Sequence, residues 1–141
     1  MLIKEKELKK FFNLSYGEKA PSREEWESFY NKEVKFIDPT QERNGIDEYI
    51  KAQDGLINRC DDIFLKSHSI AINKNIGFVE WSMGLKIKGQ EFTYEGTTRL
   101  IFDEEGKVKE HRDYFDFCSG TFGNVPIIGV FLRWLYSKFV D

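Results

Sequence analysis

The sequence has few of the residues that cross-link a small protein or bind a metal. It contains two cysteines, Cys60 and Cys118, and two histidines, His68 and His111. Neither pair has the close spacing of metal ligands, so we expect no metal site and no cofactor. Two widely separated cysteines are typical of free thiols in a reducing compartment, and we expect a cytoplasmic protein.

Long apolar runs and an excess of positive charge are also absent. Residues 1–20 contain no apolar stretch of the signal-peptide type, and no run reaches the length of a membrane span. Lys and Arg number 21 against 24 Asp and Glu, which gives a net charge of -3. We therefore expect no nucleic acid as a partner and no stable membrane insertion.

Aromatic residues are abundant, and the periodicity of the apolar residues predicts helices followed by strands. Aromatics make up 16% of the chain, which predicts a core or cavity walled by rings. Helical spacing predicts helices over 2–13, from the N-cap Ser22, after Asn44-Gly45 and over 126–139. Strands are predicted over 34–37, 62–73, 76–88, 91–103 and 107–118. This order predicts an α+β fold, with N-terminal helices packed on a curled antiparallel sheet.

The segment HRDYFD, residues 111–116, is the strongest candidate for a functional site. In a strand, His111, Asp113 and Phe115 share one face, while Arg112 and Tyr114 share the other. If the first face points inward, an imidazole and a carboxylate lie among apolar residues. Such a pair is costly to bury unless it is hydrogen-bonded, and such groups are common in functional sites.

Each candidate also has a structural explanation. Asp113 could be a buried carboxylate paired with Arg99 or Arg112, and His111 could be a satisfied structural histidine. Asp38 precedes Pro39, and an aspartate in that position often caps a turn at the end of a strand. From the residues alone, these alternatives stay open.

Several motifs together resemble a known superfamily. They are Phe36-Ile37-Asp38-Pro39 before a helix that starts after Gly45, Trp81 in a central strand, and Gly106-Lys107-Val108 leading into residues 111–116. This combination resembles the SnoaL-like superfamily, which includes ketosteroid isomerases, polyketide cyclases, limonene-epoxide hydrolases and nuclear transport factor two proteins. The resemblance implies one cone-shaped, cystatin-like domain over residues 1–141.

The resemblance also implies roles for individual residues. Asp38 matches the proton-transferring base of the ketosteroid isomerases, and Asp113 matches the water-activating aspartate of the limonene-epoxide hydrolases. Phe11 and Phe12 stand near the place of the isomerases' oxyanion-binding tyrosine. The strand Val79–Met83 has neither the arginine nor the aspartate of the epoxide hydrolases.

On this basis we expect a cofactor-free acid/base isomerase, cyclase or hydrolase that acts on a hydrophobic small molecule. Asp113 would be the general base or acid, His111 its partner, and Asp38 a second acid/base or water-positioning group. The expected pocket lining consists of Trp26, Phe36, Trp81, Met83, Thr98 and Phe115. The alternatives are a non-catalytic binder of a hydrophobic metabolite and a dimeric interaction module.

The closing helix is apolar around most of its circumference, so it needs cover on more than one side. We expect it to cover the open end of the sheet or to form a homodimer interface. Docking on a membrane surface is the weaker alternative, because Arg133 and Lys138 are its only charged residues.

Overall fold

The computed structural model describes residues 5–13 and 20–140. Helices and a curled sheet alternate as expected for an α+β fold, and the predicted fold class is confirmed. The elements are α1 (Glu5–Phe11), α2 (Arg23–Phe29), β1 (Tyr30–Asp38), β2 (Gln41–Asn44), α3 (Ile46–Arg59), β3 (Asp62–Asn73), β4 (Ile76–Ile87), β5 (Gln90–Phe102), β6 (Val108–Phe115), α4 (Phe117–Phe122) and α5 (Pro126–Val140).

The six strands form one sheet in the order β2-β1-β6-β5-β4-β3. All neighbouring pairs are antiparallel except β1 and β6, which run parallel. The sheet is therefore mixed, whereas the sequence predicted an antiparallel one. The difference arises because α3 separates the β1–β2 hairpin from the β3–β6 meander, whose last strand comes to lie beside β1.

The helix starts follow the local sequence signals. The Ser22 hydroxyl accepts a hydrogen bond from the Glu25 backbone N–H at 3.2 Å, so Ser22 is the N-cap of α2 as predicted. Helix α3 begins directly after Gly45, whose φ of 90° favours glycine. The predicted helix over 2–13 corresponds to α1, and its residues 2–4 lie outside the described residues.

Several limits differ from the prediction. The strand predicted over 34–37 is longer, because β1 begins at Tyr30 and ends at Asp38. The predicted strand over 107–118 ends at Phe115, because the Asp116 carboxylate accepts from the Ser119 backbone N–H at 2.9 Å and starts α4. Strand β2 was missed because its sequence, Gln-Glu-Arg-Asn, has no apolar residues to alternate.

Helices α1, α2 and α3 cover one face of the sheet and form the core with it. The core combines residues from all three helices with inward-facing strand residues, among them Leu8, Trp26, Tyr49, Val79, Trp81 and Leu100. Helix α4 packs on β5, and α5 packs on α4. No helix in the described part of the chain is long and apolar enough to cross a membrane.

Two glycine substitutions test how firmly the core fixes Trp81. A Cβ on Gly96 would lie 2.5 and 2.6 Å from two atoms of the Trp81 indole, so we expect Gly96→Ala to destabilise the fold by about 1–3 kcal/mol. Gly55 in α3 has no atom within 4 Å of such a Cβ, and Gly55→Ala should stabilise by about 0.5–1 kcal/mol. Urea unfolding measures both changes. Equal effects would mean that the Trp81 ring is free to move.

Candidate functional site

A cavity of about 220 Å³ lies between the sheet and helices α1–α3. Its wall contains all nine residues that the sequence nominated: Asp38, His111, Asp113, Trp26, Phe36, Trp81, Met83, Thr98 and Phe115. The inward face of β6 supplies three of them in alternation. The wall is mainly aromatic and aliphatic, so the few polar groups that it contains stand out.

The Asp113 carboxylate is the central polar group of the cavity. Its Oδ1 accepts hydrogen bonds from the Thr98 hydroxyl at 2.5 Å and from the His111 Nε2 at 2.8 Å. The Thr98 hydroxyl reaches Asp113 because the register of the β5–β6 pair sets the two residues directly opposite each other. The side chain is 18% exposed, and Oδ2 makes no hydrogen bond with the described residues. One oxygen is therefore fixed, and the other is free to meet a ligand.

Two hydrogen-bonded tyrosines contact the other ring nitrogen of His111, Nδ1. The Tyr49 hydroxyl donates to the Tyr30 hydroxyl at 2.9 Å, and the Tyr30 hydroxyl lies 2.8 Å from His111 Nδ1. Because the Asp113 carboxylate is an acceptor, Nε2 of His111 is the ring nitrogen that donates to it, and Nδ1 is bonded to the Tyr30 hydroxyl.

A second, shorter chain holds Thr98. The Trp81 indole N–H donates to the Thr98 hydroxyl oxygen at 2.8 Å. The hydroxyl proton of Thr98 is then left for Asp113, so the donors of both chains converge on the same carboxylate oxygen. The polar side-chain groups of this network are thus paired with one another, as burial of a polar network requires.

Burial keeps the two phenols protonated. Tyr30 and Tyr49 are buried, and their desolvation raises the pKa of each well above the usual value of 10.0. The nearby negative charge of Asp113 acts in the same direction. Both hydroxyls therefore remain hydrogen-bond donors through the physiological pH range.

No arginine in the described part of the chain neutralises Asp113, so the ion-pair explanation does not apply. Arg99 pairs with Glu110, and the Arg112 guanidinium lies 5.1 Å from the centroid of the Tyr114 ring. The hydrogen-bond partners of the carboxylate are instead the Thr98 hydroxyl and the His111 imidazole.

Asp38 lines the same cavity, but both of its oxygens are engaged in the turn between β1 and β2. Oδ1 accepts from the Thr40 backbone N–H and hydroxyl, both at 2.7 Å, and Oδ2 accepts from the Gln41 side-chain amide at 3.0 Å. These bonds are those of a turn-capping aspartate. The geometry therefore favours the structural explanation for Asp38.

The sequence nominated neither Tyr49 nor Tyr30 as a site residue, because nothing in it distinguishes one tyrosine hydroxyl from another. Tyr49 lies on the apolar stripe of α3, where an aromatic residue indicates packing. Of the other tyrosines, Tyr94 bonds the Thr121 hydroxyl at 2.7 Å and Tyr114 is exposed. The buried indole N–H of Trp26 has no hydrogen-bond partner among the described residues.

The SnoaL-like domain family matches residues 9–111, which span the core of the fold from α1 into β6. The chain belongs to this family. The resemblance inferred from the motifs is confirmed. Asp113, α4 and α5 lie beyond the matched range. A search of curated proteins gave no match.

Solved structures of other SnoaL-like and related domains share the fold at low sequence identity. A protein from Jannaschia sp. CCS1, described as a SnoaL-like polyketide cyclase, superposes with a TM-score of 0.62 at 16% identity, covering 69% of this chain and 74% of that one. An NTF2-like protein of unknown function from Exiguobacterium sp. 255-15 gives 0.59 at 22%, with 64% and 79% covered. A Catenulispora acidiphila protein with a ketosteroid isomerase-like fold, in complex with trimethylamine, gives 0.60 at 14%, with 66% and 74% covered.

The buried phenols predict a loss of stability in alkali. The unfolded chain releases tyrosine protons near pH 10, whereas the folded protein retains those of Tyr30 and Tyr49. Their contribution is therefore complete below about pH 10 and is lost as the pH rises further, by about 1.4 kcal/mol per pH unit for each phenol. Urea unfolding from about pH 8 to about pH 11 measures this slope.

Single Tyr→Phe variants test whether the buried tyrosines cause this change of the free energy of unfolding with pH. Tyr30→Phe should reduce it by about half, whereas Tyr114→Phe, which alters an exposed tyrosine, should leave it unchanged. A wild-type slope that survives in Tyr30→Phe would contradict the assignment to the network.

Proposed function

We propose that this protein binds a compact hydrophobic molecule in the cavity and transfers a proton with Asp113 as the general base. The reaction is an isomerisation, cyclisation or hydrolysis without a metal or organic cofactor. The supporting observation is the asymmetry of the Asp113 carboxylate, whose Oδ1 accepts two hydrogen bonds while Oδ2 makes none with the described residues. His111 is a positioning residue, because it acts on the substrate through Asp113.

The cavity supports a small ligand with an apolar body and a hydrogen-bond acceptor. Its volume of about 220 Å³ lies below the range of about 300–1,000 Å³ usual for ligand pockets. Aromatic rings from α1, α2, β1 and β6 provide the apolar surface. The unpaired indole N–H of Trp26, a residue of the cavity wall, is a donor that a carbonyl or hydroxyl oxygen of the ligand would satisfy.

The proposed step moves one proton and no electrons between protein and substrate. Asp113 Oδ2 removes a proton from a carbon next to a carbonyl group, and the electron pair of the C–H bond is delocalised onto the carbonyl oxygen as an enolate. Return of the proton to another carbon gives isomerisation, and attack of the enolate on a second carbonyl gives cyclisation. In a hydrolase, Oδ2 would take the proton from the attacking water instead.

A non-catalytic binder is the second candidate, and the cavity wall supplies the observation that favours it. Phe11 and Phe12 contribute rings to this wall, and by the resemblance they stand near the place of the isomerases' oxyanion-binding tyrosine. The phenols of Tyr30 and Tyr49 are engaged with His111 and with each other, so they are not available to a ligand. A molecule could then be bound without being converted.

We further propose that the protein works in the cytoplasm and as a pair of identical chains. Cys60 and Cys118 are both free, which fits a reducing compartment. A third candidate, a dimeric interaction module without a ligand, would leave the cavity without a role.

Deuterium exchange separates the enzyme from the binder even when the product is unknown. Native mass spectrometry of the purified chain would first identify any co-purified ligand. That ligand, and compact aromatic ketones such as 2-tetralone, are then incubated with protein in D₂O, and C–H to C–D exchange is followed by NMR. We expect wild type to accelerate exchange and Asp113→Asn to lose about 10²–10⁴-fold of that acceleration while still binding.

The matched control is Asp54→Asn, the same chemical change at an exposed position in α3, which should exchange at the wild-type rate. Exchange at the wild-type rate in Asp113→Asn would exclude this residue as the base. Tight binding with no exchange by wild type would support the non-catalytic binder.

Asp38→Asn tests whether the second carboxylate has a chemical role. Because its oxygens bond Thr40 and Gln41, we expect the substitution to lower the free energy of unfolding by about 1 kcal/mol and to change exchange less than tenfold. Urea unfolding and the D₂O assay measure the two effects. An unchanged stability with a hundredfold slower exchange would assign Asp38 to proton transfer.

A further inference from the structure

One arginine of the cavity wall has no bonding partner in the described part of the protein. The chain contains six arginines. Five of them form an ion pair, donate to a backbone carbonyl or lie over an aromatic ring, and they are Arg23, Arg43, Arg99, Arg112 and Arg133. The sixth, Arg59, makes no ion pair and no hydrogen bond within residues 5–13 and 20–140. Its donors are therefore available to a group from outside the chain.

Arg59 also stands apart from the other charged residues of the cavity. The described wall contains the carboxylates of Asp38 and Asp113, and Arg59 is its one lysine or arginine. The bonds of both carboxylates go to other groups. A cation in the last turn of α3 interacts favourably with the helix dipole. That effect does not require a place on the cavity wall, so it does not account for this position.

The inner side of α3 connects Arg59 with the buried network. The residues that line the cavity at the spacing of one helix face include Tyr49, Gln53, Leu56 and Arg59. At about 1.5 Å per residue, Arg59 lies about 15 Å from Tyr49 along the helix axis. The Tyr49 ring is buried, with its centroid 5.7 Å from that of His111, whereas Arg59 is exposed. This face of α3 therefore leads from the polar network to the open side of the cavity.

We propose that the ligand of this cavity is a keto acid, whose carboxylate pairs with Arg59 while its carbonyl end lies at Asp113. The inference rests on the proposed function only in requiring that the cavity binds a ligand. A guanidinium and a carboxylate match in charge and in the geometry of two parallel N–H···O hydrogen bonds. A phosphate group fits less well, because its second negative charge would face a wall that already carries two aspartates.

Two neutral donors on the wall support a ligand with a second acceptor. The Trp26 side chain is 6% exposed, and its indole N–H has no hydrogen-bond partner among the described residues. An N–H group that is buried without a partner costs free energy, which a keto oxygen of the ligand would offset. The Gln53 amide, which also makes no hydrogen bond within the described residues, lies between Tyr49 and Arg59 on α3. The wall thus offers neutral donors for a ketone and one cation for a carboxylate.

The carboxylate would also determine which carbon atom of the ligand reaches the base. Apolar contacts are non-directional, so a compact ketone without a charge can bind in several orientations. An anion held at Arg59 fixes one end of the ligand, and the free Oδ2 of Asp113 then meets the other end. Fixed orientation favours proton transfer at the carbon that faces the base. Arg59 is in this sense a residue that determines specificity.

The test compares one ketone with and without the negative charge. Isothermal titration calorimetry at about pH 7.5, where a carboxylate is ionised, measures the binding of 6-carboxy-2-tetralone and of its methyl ester. We expect wild type to bind the acid at least about tenfold more tightly than the ester, Arg59→Gln to lose that preference, and Arg59→Lys to retain part of it. Raising the ionic strength from about 0.05 to about 0.5 M should weaken binding of the acid alone.

The matched control is Lys51→Gln, which removes a positive charge from the same helix. Lys51 is exposed and lies about 200° around α3 from Tyr49, away from the face that lines the cavity. This variant should keep the preference for the acid. Equal binding of acid and ester by wild type would overturn the inference, as would a preference that survives in Arg59→Gln. A preference lost equally in Lys51→Gln would also overturn it, because the charge would then act without contact.

Deuterium exchange into the same two probes distinguishes this inference from the proposed proton transfer. A preference for the acid without exchange by wild type would uphold the carboxylate site and overturn Asp113 as the base. Exchange in both probes with equal binding would uphold the base and overturn the carboxylate site. Failure of both probes to bind would overturn both proposals.

Discussion

The site depends on holding one carboxylate inside a largely apolar wall without a lysine or arginine bonded to it in the described part of the chain. Burying a carboxylate without partners costs several kcal/mol or more, and Asp113 offsets that cost with two hydrogen-bond donors on a single oxygen. Each of these two donors makes a further hydrogen bond, His111 with Tyr30 and Thr98 with Trp81. The arrangement therefore needs β4, β5 and β6 in one register, so the central sheet determines the hydrogen bonds of the site as well as its shape.

The same network joins the sheet to the helices that cover it. Tyr49 comes from α3 and Tyr30 from the junction of α2 and β1, while the groups that they hold belong to β6. Because each bond orients the next, removing one hydroxyl leaves its neighbour buried without a partner, which costs more than the bond itself contributes. Stability and chemistry are for this reason coupled in this cavity, and variants of the network must be judged on both.

The sequence predicted faces and strand limits better than contacts. The period-two pattern predicted the bounds of β3 and the inward face of β6, because a half-buried strand must alternate. It could not show that Thr98 lies opposite Asp113, since register is a property of the paired strands. Tyr49 resembled a packing residue, because a buried phenol and a buried phenyl ring produce the same helical pattern. Strand β2 has four residues and none of them is apolar, and helix α4 has only six residues, so neither is long enough to show a periodic pattern in the sequence.

The distribution of donors limits the chemistry that the cavity can support. General base catalysis is worth about 10²–10⁴-fold in rate, and one oxyanion donor about 10²–10³-fold more. Here the phenols of Tyr30 and Tyr49 are engaged in the network, and the donors left on the described cavity wall are the indole N–H of Trp26 and the side chains of Gln53 and Arg59. A substrate whose carbonyl oxygen contacts one of these donors would have its enolate stabilised there. A substrate whose carbonyl oxygen contacts none of them must form an anion that is already stable, as a carbon between two carbonyl groups does.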